Sequence, residues 1–227
     1  VTPAVPFVVV PVPQPSTASP APSVSLSPAA IAFPDVPPGF WAAPFIAELA
    51  RRDIITGFPD NTYRPDQPVT RTEFAVMLEK AFARQKAAQA VQFADIPSGY
   101  WGSAAISKAL QSGFMRGYPD NRFQPDLQIP KEQAIVALAN GLNLPTPASS
   151  SRTVSVFQDA NDIANYAVPA VAAATQANLV VNFPDPKFIG PKQTTSRAEA
   201  AALIHQALVR QGQAPSIGSQ YIVKGQQ

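Results

Sequence analysis

Apolar residues recur along this chain at helical spacing, in short bursts separated by polar turns. Trp41, Phe45, Ile46 and Leu49 share one face of a helix that ends near Asp53. Pro44 falls in its first turn, where a missing N–H costs least, and Pro169 takes the matching place further on. Phe74, Met77, Leu78, Ala81 and Phe82 form a second stripe. It is opened by Thr70-Arg71-Thr72-Glu73, a hydroxyl followed three residues later by Glu, which is a capping box. Ser196-Arg197-Ala198-Glu199 has the same form, ahead of a stripe of smaller residues from Ala200 to Leu208. Between the two stripes runs Ile54-Ile55-Thr56-Gly57-Phe58-Pro59-Asp60. Gly57 suggests a left-handed backbone there, and Pro59-Asp60-Asn61-Thr62 is a turn signal.

This helix–loop–helix unit occurs three times. Phe33-Pro34-Asp35-Val36 returns as Phe93-Ala94-Asp95-Ile96, and the same sixty-residue offset relates Trp41 to Trp101 and Gly57 to Gly117. Over positions 33–82 against 93–142 there are fourteen identities without a gap, which makes the repeat a duplication rather than a coincidence of composition. A more diverged third copy begins at Phe157-Gln158-Asp159, with Tyr166 in place of Trp and Asn182 in place of Gly. Aligning it takes single insertions before Tyr166 and before Pro191, which pairs Phe188 with Tyr63 and Phe123. One such hairpin cannot bury enough surface alone, so the copies must pack on one another. The boundaries follow: a tether at 1–32, copy one at 33–92, copy two with a Pro- and Ser-rich linker (residues 143–156) at 93–156, copy three at 157–210, and a tail at 211–227 with a short strand expected at 220–223.

The first charged residue is Asp35, and nine Pro precede it. Lacking N–H donors, that arm reads as disordered coil and polyproline II, a spacer or a partner-binding arm. No stretch approaches the roughly 20 apolar residues of a membrane span, and no basic n-region precedes an apolar run, so a signal peptide is expected to be absent or removed. With no Cys, disulfides, thiolate metal sites and thiol nucleophiles are excluded; one His excludes a multi-histidine site. A net charge of +2 from 17 basic and 15 acidic residues gives no case for nucleic acid. No catalytic triad or phosphate loop is visible, and no cofactor or metal is expected. His205, among Ala and Gln on the last helix, reads as a surface residue. Asp60 and Asp120 read as turn formers rather than calcium ligands, and Asp35, Asp95 and Asp159 as partners of the first helix or of the loop backbone.

Phe-x-Asp-Val, then Trp, then Ile-Thr-Gly-Phe-Pro-Asp-Asn, then Thr-Arg-Thr-Glu, in three copies over residues 33–208, resembles the S-layer homology (SLH) family. The resemblance implies an all-α, pseudo-threefold, three-pronged unit with a central bundle and grooves between adjacent repeats. It also implies a non-catalytic, extracytoplasmic module that binds secondary polysaccharide linked to peptidoglycan, often pyruvylated. The signature ligand-binding cation of that family maps to Arg71 and Arg197, with Lys131 in copy two. Low Lys and abundant Ala, Gln and Pro hint at a cyanobacterial envelope protein.

The residues carry an argument of their own. A cation just inside a helix start opposes the helix dipole by roughly 0.3–1 kcal/mol, yet Arg71, Lys131 and Arg197 all stand there. Beside free backbone N–H groups, such cations would make anion sites, and Arg can grip a carboxylate with two parallel bonds. Copy two has Pro130 for the capping hydroxyl and Lys for Arg, so its site loses the planar fork. Trp41, Trp101 and Tyr166 are either core or groove wall, or sugar-stacking platforms; Gly57 and Gly117, which shape the adjoining loop, complete the set of candidate ligand-binding residues. The competing function is a structural subunit or adaptor in an envelope complex, binding protein through the same helical surface, the Pro-rich arm or the C-terminal tail.

Overall fold

The computed structural model describes residues 33–82 and 92–225; the arm expected at 1–32 lies outside the described residues. Seven α-helices follow in order: α1 (Ala43–Arg51), α2 (Arg71–Phe82), α3 (Ser103–Gln111), α4 (Lys131–Gly141), α5 (Ser150–Val154), α6 (Val168–Gln176) and α7 (Arg197–Arg210). Among the described residues there is no extended strand, only isolated bridges. The all-α, three-copy expectation holds. Pro44 and Pro169 sit in the first turns of α1 and α6 as read. The 143–156 segment is more than a linker, since it contains α5, which packs on α6.

The two helices of one copy do not pair with each other. Instead α2 packs on α3, α4 on α6, and α7 on α1, so each copy's second helix lies against the next copy's first. The third contact returns to the start and closes a ring. α7 also touches α2 and α4, which puts the three second helices at the centre. Their buried faces supply the core: Phe74 and Leu78, Ile135 and Leu138, Leu203 and Ile204, with Phe45, Ile46, Leu49 and Ile106 from the outer helices.

Backbone hydrogen bonds make the same circuit. Val69 N–H donates to the Thr195 carbonyl (2.9 Å), Thr195 N–H to Ile129 (2.9 Å) and Ile129 N–H to Val69 (3.0 Å). The residue two places before each second helix is thus tied to its counterpart in another copy. Single bridges repeat the pattern: Thr70 with Gln128, Pro130 with Thr194, Ser196 with Pro68. These three backbone groups in the crowded centre are each satisfied by their equivalent around a pseudo-threefold axis.

Within each copy the loop is fixed by its first carboxylate. Asp35 accepts the N–H groups of Tyr63 and Arg64, Asp95 those of Phe123 and Gln124, and Asp159 those of Ile189 and Gly190. The loop-backbone alternative is therefore the right one for these residues. The triplet also corrects the copy-three alignment. Ile189, buried like Tyr63 and Phe123, is their true equivalent; Phe188 is displaced by one place and exposed. The matching left-handed residues Arg64, Gln124 and Gly190 agree. Asp60 holds the Thr62 N–H and hydroxyl, as a turn former should.

Two other expectations change. Gly57 and Gly117 do not take up left-handed backbone; that conformation falls four residues earlier, at Asp53, Gly113 and Asn178, just past each first helix. The glycines are required by close approach instead. A Cβ on Gly57 would stand 2.6 Å from the Phe33 ring, and one on Gly117 2.3 Å from the Phe93 ring. His205 is not on the surface. It is wholly buried, against the Phe45 ring at 5.3 Å on the α1–α7 seam, and neither ring nitrogen has a partner.

Candidate functional site

By repeat equivalence the ring holds three corresponding sites, each drawing on three copies. One combines Arg71 of copy one, the Arg116–Tyr118 loop and Gln133 of copy two, and Tyr166 of copy three. Its counterparts gather around Lys131 and Arg197.

The first two N–H groups of each helix that carries these cations are not spare, as expected from the sequence, but paired with another copy. Arg71 N–H donates to Leu127 O and Thr72 N–H to Pro125 O; Lys131 and Glu132 use Gln193 and Pro191; Arg197 and Ala198 use Gln67 and Pro65. At the third position the Glu73 and Glu199 N–H groups donate to the hydroxyls of Thr70 and Ser196, and their carboxylates accept the Thr70 and Ser196 N–H groups, completing the two capping boxes. Inter-copy pairing consumes the first two donors of each helix and the caps take the third in α2 and α7, so anion recognition at Arg71 and Arg197 falls to side chains.

Those side chains differ sharply. Arg71 is nearly buried. Its Nε donates to Phe123 O (2.8 Å), one terminal nitrogen to Arg116 O (2.8 Å) and the other to Gln133 Oε1 (3.1 Å), leaving two of its five N–H groups uncommitted. Its guanidinium carbon lies 4.8 Å from the Tyr118 ring centre and 4.5 Å from that of Phe123. Burial lowers the guanidinium pKa, against the opposing influence of Tyr118 and Asp95, but arginine stays charged. Arg197, half-buried, repeats the pattern on Tyr63 O and Thr56 O, with Phe58 and Tyr63 as its rings. Lys131 does not. Only 3% exposed, it donates to Glu199 Oε1 at 2.8 Å, an internal ion pair.

A cavity of about 500 Å³ opens at Arg71. Gln133, Asn140, Tyr118 and Tyr166 supply polar groups, while Phe114, Val136 and Ala137 form apolar wall. Tyr166 is held by its hydroxyl, which donates to Glu132 (3.0 Å); the ring stays 59% exposed. Burial of that hydroxyl and the Glu132 carboxylate push its pKa to about 12, so it remains a donor at neutral pH. Glu132, itself buried, was invisible as a site residue in the sequence. It also accepts from Lys192 and from the Ala164 N–H, fixing copy three's entry to the groove.

The aromatic triplet resolves as groove wall rather than core, with unequal exposure. Trp101 is 64% exposed. Trp41 is half-buried, stacked on Phe183 at 5.1 Å with rings nearly parallel. Among the described residues no cluster of acidic or imidazole groups could hold a metal, and no helix is long and apolar enough to cross a membrane.

Comparison with known proteins gives three matches to the S-layer homology domain model, at residues 32–75, 92–135 and 156–201. An amylopullulanase of Thermoanaerobacterium thermosulfurigenes is 31% identical over 76% of this chain and 9% of its own length. The S-layer protein EA1 of Bacillus anthracis is 29% identical over 79% of this chain and 20% of its own length. A cellulosome-anchoring protein of Acetivibrio thermocellus is 28% identical over 50% and 26% respectively. The chain therefore spans about a quarter or less of the length of these relatives.

Proposed function

The chain belongs to the S-layer homology domain family, and from that membership we propose that it is a non-catalytic module that attaches its bearer to the cell surface, outside the cytoplasm. Its ligand is an acidic polysaccharide linked to peptidoglycan, with a pyruvate ketal as the anionic group. Relatives named for S-layers and cellulosome anchoring support attachment; relatives named as enzymes match only over a small fraction of their length, so their catalysis is no argument for catalysis here.

One observation carries the choice of ligand: the Arg71 cavity. About 500 Å³ suits one or two sugar rings. Three N–H groups of Arg71 are fixed by carbonyls and an amide oxygen, which holds the guanidinium plane in place before any ligand arrives. The two remaining donors suit a carboxylate, and the preset plane cuts the ordering cost of binding it. Tyr118 and Tyr166 offer ring faces and hydroxyls to a pyranose. Arg197, held in the same way, is the second candidate contact, and Trp101 an exposed platform.

Retention on peptidoglycan sacculi with and without their pyruvylated polymer tests this reading. The full chain should bind only sacculi that carry the polymer, and Arg71→Ala should weaken binding at least tenfold with the helical circular dichroism spectrum unchanged. Retention on stripped sacculi, or full binding by Arg71→Ala combined with Arg197→Ala, would overturn it in favour of a protein-binding adaptor.

A further inference from the structure

The three sites are equivalent by repeat position, yet among the described residues only the Lys131 site is covered by a segment from outside the repeats. Residues 219–225, which no repeat accounts for, return to the copy-three loop. Val181 bridges to Ile222, Asn182 N–H donates to Tyr221 O (2.9 Å), Val223 N–H to Val180 O (2.9 Å) and Gly225 N–H to Asn178 Oδ1 (2.8 Å). Ile222 and Val223 are buried by this pairing. Tyr221 then sets its ring edge-on to both Phe183 (5.1 Å) and Trp41 (6.0 Å), closing a three-ring cluster over the groove. Beneath it, Lys131 is consumed by Glu199.

Resting on the reading above, we propose that residues 219–225 are a built-in plug, and that the chain takes acidic glycan at the Arg71 groove while its own tail excludes glycan from the Lys131 groove. Two devices act together. Tyr221 holds Phe183 against Trp41, so the aromatic surface a sugar would use is spent on an internal stack. The carboxylate of Glu199 holds the place beside Lys131 that a ligand carboxylate would need. The Arg71 groove carries the uncharged Gln133 at the position of Glu199, and Tyr166 at the position of Trp41. There is one tail for three grooves, so the repeat symmetry is broken in ligand capacity.

Two measurements test the plug, and only one involves sugar. The chain has two tryptophans, so Trp101→Phe leaves Trp41 as the sole indole reporter. In that background, Tyr221→Ala, and separately truncation after Gly218, should raise acrylamide quenching of Trp41 at least twofold; unchanged quenching in both would overturn the plug. Titration calorimetry with a glycoside of a 4,6-pyruvylated N-acetylhexosamine supplies the second arm. Glu199→Gln with Tyr221→Ala keeps an oxygen acceptor for the Ser196 cap and frees Lys131, and should bind one equivalent more than the full chain. No added equivalent, with quenching raised, would overturn the exclusion of glycan. Absence of binding by every variant, with quenching raised, would instead sink the glycan reading and leave the plug standing.

Discussion

At the scale of single residues, burial inverts the roles that charge and polarity suggest. Lys131 and Arg71 look alike in sequence, as cations one place inside a helix. One is locked to a carboxylate and the other to carbonyls, so only the second keeps donors for a ligand. His205 shows the same effect. Shut away from water with no partner, it has its pKa pushed down to about 4, with desolvation first, the Arg52 charge adding and Glu48 opposing. An unfolded imidazole titrates near 6.5. Between about 4 and 6.5 the unfolded chain therefore binds the extra proton. Stability is intact above pH 6.5 and falls as pH drops towards 4, by about 2–3 kcal/mol. Urea melts at pH 7 and pH 4.5 should show this loss in the native chain and not in His205→Leu. Glu48, held down to about 2 by Arg51 and Arg52, loses its contribution only at lower pH, which separates the two effects. The His205 environment was not legible beforehand, because its neighbours Phe45, Glu48 and Arg52 come from the far end of the chain.

At the scale of elements, local signals were reliable wherever the interaction is local. Thr70–Glu73 and Ser196–Glu199 form reciprocal capping boxes because the contacts span three residues and need nothing else. Pro130 leaves α4 without a side-chain cap, as its chemistry requires. Ser196→Ala should therefore cost about 1 kcal/mol in a denaturant melt. Equal stability of that variant and the native chain would show that inter-copy carbonyls alone sustain the helix start. The left-handed turn went astray by four residues for a comparable reason. A glycine in sequence signals either backbone freedom or lack of space, and only the Phe33 and Phe93 rings, brought in from the start of each copy, decide for space.

At the scale of the molecule, stability belongs to the ring and not to the repeats. Every second helix packs on a neighbour's first helix, and the last seam, α7 on α1, joins the two ends of the repeat array. Repeat proteins that stack in a line tolerate loss of a terminal unit because each unit meets only its neighbours. A closed ring does not. A chain of residues 33–145 would leave α1 without α7 and α4 without α6, and would lose one of three donors and one of three acceptors in the central backbone circuit. It should show no cooperative thermal transition by circular dichroism. A sharp melt with native-like helicity in that fragment would mean that two copies suffice.

The sequence by itself determined the two helices of each repeat, their triplication and the positions of the cations, because periodicity, caps and turn residues act within a few residues of each other. Tertiary structure alone decided which copy each helix packs on, that the first two N–H groups of each second helix are spent between copies, and that the three cations meet different fates. Those outcomes depend on groups some 45 or more residues apart, as in the bonds from Arg71 to Arg116 and Phe123, and on a seven-residue segment, 219–225, that bears no mark of the groove it closes.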